Sequence, residues 1–314
     1  MQVPEFSDIE RAHRLIEKYI HRTPVLSSQS INKIVGGELY FKCENFQKVG
    51  AFKFRGACNS VFSLSEEEAK RGVCTHSSGN HAAALALAAQ MRGIVAYIVM
   101  PENAPEIKKK AVAGYGGQIT FCQPTLEARE SALKQVAAET GATEIHPYNY
   151  FNVICGQGTA AKELIEDAGP FDSILCPVGG GGLLSGTAIS TKKMLPHTTV
   201  IACEPAGADD AFRSFKQGKI IPSVGPKTIA DGLLTSLGTL SFEIIQQRVD
   251  DIVTVSEEDI IVAMRMIWER MKIIIEPSSA VPLAAILENK VNIQGKKVGI
   301  ILSGGNVDLG KLPF

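Results

Sequence analysis

The sequence contains no CxxC pair, although it holds seven cysteines, Cys43, Cys58, Cys74, Cys122, Cys155, Cys176 and Cys203. An odd, scattered set supports neither a disulfide framework nor a thiolate zinc site, so reduced thiols and a cytoplasmic setting are expected. No window reaches the roughly 18 apolar residues of a membrane span. The opening MQVPEFSDIERAHRLIEKY spreads acids and bases through what a secretory signal would keep apolar. Neither sign of charge dominates: 32 Lys and Arg against 33 Asp and Glu leave a formal net charge of −1. That balance excludes the broad basic surface of a nucleic-acid or membrane-surface binder. Internal repeats, low-complexity tracts and Pro/Ser-rich linkers are missing as well.

The chain does have length. Its 314 residues, 45% of them hydrophobic, exceed what one core usually organises, which implies two domains or one large domain with a lobe. Without a linker, a second domain is expected inside the first rather than after it. Ser7 and Glu10 form a capping-box pattern before the helical stripe Ile9, His13, Leu15, Ile16 and Tyr19 or Ile20. Five short apolar runs read as strands: IVAYIVM at 94–100, QITFC at 118–122, SILCPV at 173–178, TVIACEP at 199–205 and VGIILSGGN at 298–306. They alternate with helical stretches, so the class is α/β with a parallel sheet covered on both faces. Two βα units fall between about 72 and 147.

Three turns carry ligand chemistry. PVGGGGLLSG at 177–186 follows a strand and enters a helix, so its glycine N–H groups and the helix dipole can hold a phosphate with no cationic side chain. It lacks the GK[ST] ending of a P-loop and the GxGxxG spacing, although Glu204 lies at a dinucleotide-like distance, so a nucleotide is the weaker alternative. SSGNH at 77–81 and SGGN at 303–306 are turns of the same style. AFKFRGA adds Lys53 between two phenylalanines, an amine whose ordinary reading is a solvated cation with a buried stem.

FQKVGAFKFRGA, HSSGNHAAALA, PVGGGGLLSG and LSGGNVDL, in that order, resemble the fold-type II pyridoxal-phosphate enzymes, in the branch that holds the serine racemases and the serine/threonine dehydratases. The likeness runs from HRTPVL at 21 to LSGGNVDL at 309. It implies a large cofactor-binding domain with a mostly parallel twisted sheet, residues 1–71 and 150–314, and a smaller inserted α/β domain, residues 72–149.

By that resemblance Lys53 would carry pyridoxal 5'-phosphate covalently, with Phe52 against the ring and Gly179, Gly180, Gly181, Gly182 and Leu183 at the phosphate. Asn80 would meet the ring's phenolic oxygen and Ser303 its nitrogen. Ser77, Ser78, Gly79, Asn80 and His81 would receive the substrate, with Ser236 beside them. Lys53 and Ser78 would be the two acid/base groups on opposite faces of Cα, since racemisation takes a proton from one face and returns it to the other. To serve, the Lys53 amine must be neutral, and apolar surroundings with a cationic neighbour such as Arg55 would make it so. Glu204, the Ala208 carbonyl and Asp210 would bind Mg²⁺, Mn²⁺ or Ca²⁺.

The implied activity is interconversion of L- and D-serine with β-elimination to pyruvate and ammonia. The alternative is a dedicated L-threonine/L-serine dehydratase or 3-hydroxyaspartate ammonia-lyase. A homodimer is implied. SSQSIN at 27–32 and Val49 depart from ATP-activated animal members. With Phe314 close behind the last motif, no amino-acid-sensing domain is expected. Arg129 and Glu276 match positions with polar roles near the site in relatives, but Arg129, in EARESALK, reads as part of a solvated helix face, and neither receives a catalytic role.

Overall fold

The computed structural model describes residues 2–314. In chain order the strands are β1 (Val25–Leu26), β2 (Glu38–Cys43), β3 (Val73–His76), β4 (Ala96–Pro101), β5 (Gln118–Cys122), β6 (Thr143–Glu144), β7 (Ser173–Pro177), β8 (Thr199–Pro205), β9 (Asp251–Val255) and β10 (Lys297–Leu302). The helices begin with α1 (Phe6–Ile16), α2 (Gln29–Val35), α3 (Lys53–Phe62), α4 (Glu66–Arg71), α5 (Asn80–Arg92), α6 (Glu106–Gly114) and α7 (Leu126–Thr140). They continue with α8 (Phe151–Ala168), α9 (Gly182–Met194), α10 (Asp210–Gln217), α11 (Thr239–Arg248), α12 (Glu257–Met271) and α13 (Pro277–Leu287).

Two sheets result. The six-stranded sheet has the order β1-β2-β10-β7-β8-β9 and is parallel except for β1, which runs antiparallel to β2. The four-stranded sheet, β5-β4-β3-β6, is parallel throughout. All five apolar runs become strands, because continuous β-branched segments suit a sheet buried on both faces. Alternation along them divides the core. Leu175 and Ile300 join α12 and α13 on one face, while Ile174, Cys176 and Ile301 pack with α8 and α9 on the other.

Strands that periodicity passes over have a reason to be missed. β2 carries a lysine, Lys42, that is fully buried by an ion cluster, and β3 spans four residues. The expected cap of α1 needs correction. Glu5, not Ser7, is the N-cap, and the Glu5 N–H donates to the Asp8 carboxylate at 2.8 Å. Ser7 already lies within the first turn, so its box with Glu10 cannot form. All seven cysteines are buried and unpaired.

Three helices stack through glycines. A Cβ on Gly156 of α8 would come within 2.5 Å of the Arg55 carbonyl on α3, and one on Gly186 of α9 within 2.5 Å of the Gly158 N on α8. Backbones in such contact leave little play between α3 and α9. Those two helices open at Lys53 and at the glycine loop.

Candidate active site

Lys53 begins α3 directly after Phe52, and the chain before it is stitched to the turn beyond β10. The Phe52 N–H donates to the Ser303 carbonyl at 2.9 Å, and the Gly305 N–H to the Gly50 carbonyl at 2.9 Å. The Lys53 amine donates to the Pro147 carbonyl at 2.9 Å and lies 5.1 Å from the Phe52 ring centre. Burial pulls its pKa from 10.5 down to about 8, with the Glu276 carboxylate opposing. An appreciable fraction is therefore neutral near pH 7.5.

The expected electrostatic help from Arg55 is absent. The Arg55 guanidinium is fully buried between Glu44 and Glu163, with N–O distances of 2.7 Å to each. These carboxylates outweigh the burial and hold its pKa up, and its charge is spent on them. Desolvation alone depresses Lys53.

The loop between β7 and α9 fits a phosphate. Among the described residues no acceptor meets the N–H groups of Gly179, Gly180, Gly181, Gly182, Leu183 and Leu184, so a row of backbone donors at a helix start awaits an anion. The glycines are required by close neighbours. A Cβ on Gly180 would fall 2.3 Å from the Tyr148 ring, and Gly181 has φ +89°, with Ser241 Cβ 2.7 Å from where its own Cβ would be. Sequence reasoning missed Tyr148, which covers this loop. HPYNY offers no signal for it beyond an aromatic in a polar turn.

The SSGNH turn joins β3 to α5. The Ser77 N–H donates to the Val99 carbonyl at 3.1 Å and its hydroxyl accepts from the Gly79 N–H at 3.4 Å. The Ser78 hydroxyl and the N–H groups of Ser78, Asn80 and His81 have no acceptor or donor partner among the described residues. The His81 imidazole is buried against the Ile145 carbonyl, 3.1 Å from its Nε2, and burial with the nearby Lys53 pushes its pKa down to about 3. Its backbone N–H, not its imidazole, is left at the helix start for a carboxylate.

Asn80 bridges the two sheets. Its Nδ2 donates to both Glu276 oxygens at 3.1 Å, and its Oδ1 accepts from Asn306 Nδ2 at 2.9 Å. Glu276, buried before α13, has its pKa lifted from 4.5 to about 7 by desolvation, against the Asn80 hydrogen bonds. This carboxyl belongs to the site although the sequence reading left it without a role. Its cues were a lone acid before PSSAVPLAAIL and the resemblance, which puts a polar residue near the site at this position. Ser303 is buried at the end of β10, 3.1 Å hydroxyl to hydroxyl from Ser279.

His146 is held as a neutral imidazole. Its Nδ1 accepts the N–H groups of Tyr148 at 3.3 Å and Asn149 at 3.0 Å, while burial, His76 and Lys53 bring its pKa down to about 4. Burial and then the charge of Arg129 lower the pKa of His76; Arg129 itself is half-buried on α7, its Nε donating to the Thr125 carbonyl at 3.3 Å. The Ser236 hydroxyl accepts the Ser223 N–H at 2.9 Å, engaged in the loop beyond α10.

Glu204, at the end of β8, and Asp210, at the start of α10, are both fully buried, with Ala208 between them in a 3-10 turn. Glu204 accepts the N–H groups of Ala211 at 2.9 Å and Phe212 at 2.8 Å. Asp210 Oδ1 has no partner. Desolvation raises Glu204 to about 8 and Asp210 to about 6. No group of three or more His, Cys, Asp or Glu side chains gathers among the described residues, so any cation here would rest on two carboxylates and backbone.

Residues 16–304 match the family model described as "Pyridoxal-phosphate dependent enzyme". The serine racemase of Dictyostelium discoideum is 54% identical over 99% of this chain and 98% of its own. The beta-hydroxyaspartate dehydratase of Paracoccus denitrificans is 51% identical over the whole of both. The structure of maize serine racemase superposes with a TM-score of 0.96 at 48% identity, covering 98% of this chain and 95% of that one. A desolvated lysine and a row of backbone donors without acceptors suit an aldehyde with a phosphate arm, and the chain belongs to the pyridoxal-phosphate dependent enzymes.

Proposed function

We propose that this enzyme interconverts L- and D-serine and also eliminates water from serine, giving pyruvate and ammonia. The observation that carries the reading is the 54% identity to a serine racemase along nearly the full chain. The geometry supports it through a lysine whose pKa is brought to about 8 beside a turn holding a free serine hydroxyl. Bound pyridoxal phosphate supplies an electron sink that acidifies the substrate Cα–H.

The chain's own groups do the rest. N–H groups of the turn at 78–81 hold the substrate carboxylate at the start of α5. Neutral Lys53 takes the Cα proton, and Ser78 returns one to the opposite face. When the β-hydroxyl departs before that proton returns, elimination is the outcome. Gly179 to Leu183 would hold the phosphate, Phe52 would lie along the ring, Asn80, now bonded to Glu276, would serve the phenolic oxygen, and Ser303 would serve the ring nitrogen. Ser236 approaches the substrate only by giving up the Ser223 N–H.

The remaining parts of the reading are a divalent cation at Glu204, the Ala208 carbonyl and Asp210, a homodimer, a cytoplasmic location, and a division into residues 72–149 against 1–71 with 150–314. The orphaned Asp210 Oδ1 supports the cation, and the separate four-stranded sheet supports the division. No helix among the described residues is long and apolar enough to cross a membrane. Elimination from 3-hydroxyaspartate is a second reading, favoured by the 51% identity to a beta-hydroxyaspartate dehydratase, β-hydroxyaspartate being the same compound.

The test is chiral chromatography of products from L-serine, with and without Ser78→Ala. D-serine alongside pyruvate, with D-serine alone lost in the variant, supports the proposal. Pyruvate with no D-serine, indifferent to the substitution, removes the racemase. Faster turnover of 3-hydroxyaspartate in the same assay would favour the second reading.

A further inference from the structure

We infer that Arg55 is a positioning residue for Lys53: its guanidinium fork locks the first turn of α3 onto α8 and the end of β2, and so sets the distance between the amine and the glycine loop. The inference rests on the reading of Lys53 as the cofactor's attachment point. Arg55 follows Lys53 by two residues, so the first turn of α3 cannot shift without moving both.

The fork is saturated. Arg55 Nε and Nη2 donate to Glu44 at 2.7 and 2.8 Å, Nη1 and Nη2 to Glu163 at 2.8 and 2.7 Å, and Nη1 also to Thr159 Oγ1 at 3.0 Å. Lys42 Nζ completes the cluster, 2.7 Å from Glu163 and 2.7 Å from the Thr23 carbonyl. Arg55, Lys42, Glu44 and Glu163 are at most 1% exposed. Two cations and two anions thus cancel out of reach of solvent. A compensated set held by paired, planar hydrogen bonds contributes geometry more than stability.

That geometry leads to the site. Glu163 and Thr159 sit on α8, whose backbone touches α3 at Gly156 and α9 at Gly158. The amine heads α3 and the phosphate donors head α9, with α8 as the spacer between them. A lysine in place of Arg55 would keep the charge but lose the two-carboxylate fork, because an ammonium has no planar pair of donors.

The experiment compares wild-type, Arg55→Lys and Thr159→Val holoenzymes by three readouts: kcat and KM per bound cofactor, a spectrophotometric pH titration of the cofactor, and borohydride reduction with peptide mapping. Positioning predicts that Arg55→Lys lowers kcat per bound cofactor by about tenfold or more while KM changes less than about threefold, and moves the titration midpoint by roughly one pH unit. Thr159→Val, which removes the acceptor of one Arg55 N–H and a local donor to the Gly156 carbonyl but leaves both carboxylates on the fork, should shift both in the same direction by less. A variant that melts earlier but titrates and turns over like wild type overturns the inference, since only stability was then at stake. If Arg55→Lys does not fold, Thr159→Val decides on the same readouts: wild-type kcat and midpoint overturn the inference, and a fall of about threefold sustains it. A wild-type adduct found on a residue other than Lys53 takes away the underlying reading, and the inference with it. An adduct on Lys53 with an unaltered Arg55→Lys profile removes the inference alone.

Discussion

Asn80 and Glu276 meet across the two sheets: the amide that opens α5 donates to both oxygens of the carboxylate that precedes α13, at 3.1 Å each. Desolvation has raised that carboxyl from 4.5 to about 7. A folded-state pKa above the unfolded one means its stabilising contribution is complete below about 4.5 and lost as pH rises through about 7. Asn80 favours the ionised form. Asn80→Ala is therefore expected to destabilise by about 1 to 3 kcal/mol at pH 8 and by distinctly less at pH 5. Denaturant melts at the two pH values check this, and equal losses would show that Asn80 does not serve the carboxylate.

The Lys53 amine should also be readable kinetically. With its pKa brought to about 8, covalent uptake of pyridoxal phosphate by cofactor-stripped protein should climb about tenfold per pH unit below 8 and level off above it. Stopped-flow absorbance measures the rate. A climb that continues to pH 10 would mean an ordinary, solvated lysine.

Gly180→Ala places a methyl group where the Tyr148 ring now lies, 2.3 Å from its nearest carbon. The ring must swing off the loop, at a cost of about 1 to 3 kcal/mol, and the phosphate donors spread with it. Cofactor affinity, followed by fluorescence titration, is expected to fall at least about fivefold, which is the lower end of that cost. Adding Tyr148→Ala should recover part of the loss, and no recovery would relocate the clash.

The buried carboxylates of Glu204 and Asp210 predict stabilisation by a hard cation. Mg²⁺, Mn²⁺ or Ca²⁺ at about a hundred times its Kd should add about 2.7 kcal/mol, seen as a rise in Tm. Asp210→Asn should abolish the rise. Without added metal that variant should melt no lower than wild type, because it removes a charge from a desolvated site.

How far the site could be read in advance depended on what each residue requires. Glycines 179–182, the turn at 77–81 and Lys53 are local necessities: a backbone cradle needs consecutive residues without Cβ, and motifs of that kind survive in one dimension. Glu276, Tyr148 and the Arg55 cluster are not local. Glu276 lies 196 positions from Asn80, and Arg55 reaches Glu163 across 108; no spacing rule links such partners. The same distance misled the reading of Arg55, taken as a cation acting on Lys53 when its charge is cancelled by carboxylates brought in by β2 and α8. His81 shows the reverse case, right turn but side chain aimed at Ile145.

Chain order by itself determined the α/β class, the five long apolar strands and the three glycine-containing turns, because strand burial and glycine turns are properties of contiguous segments. Tertiary structure alone decided the protonation of Lys53 and Glu276, the cancellation of Arg55, and the seating of Tyr148 on the glycine loop. Those are matters of desolvation and of charges meeting from remote segments, and neither exists until the chain has folded.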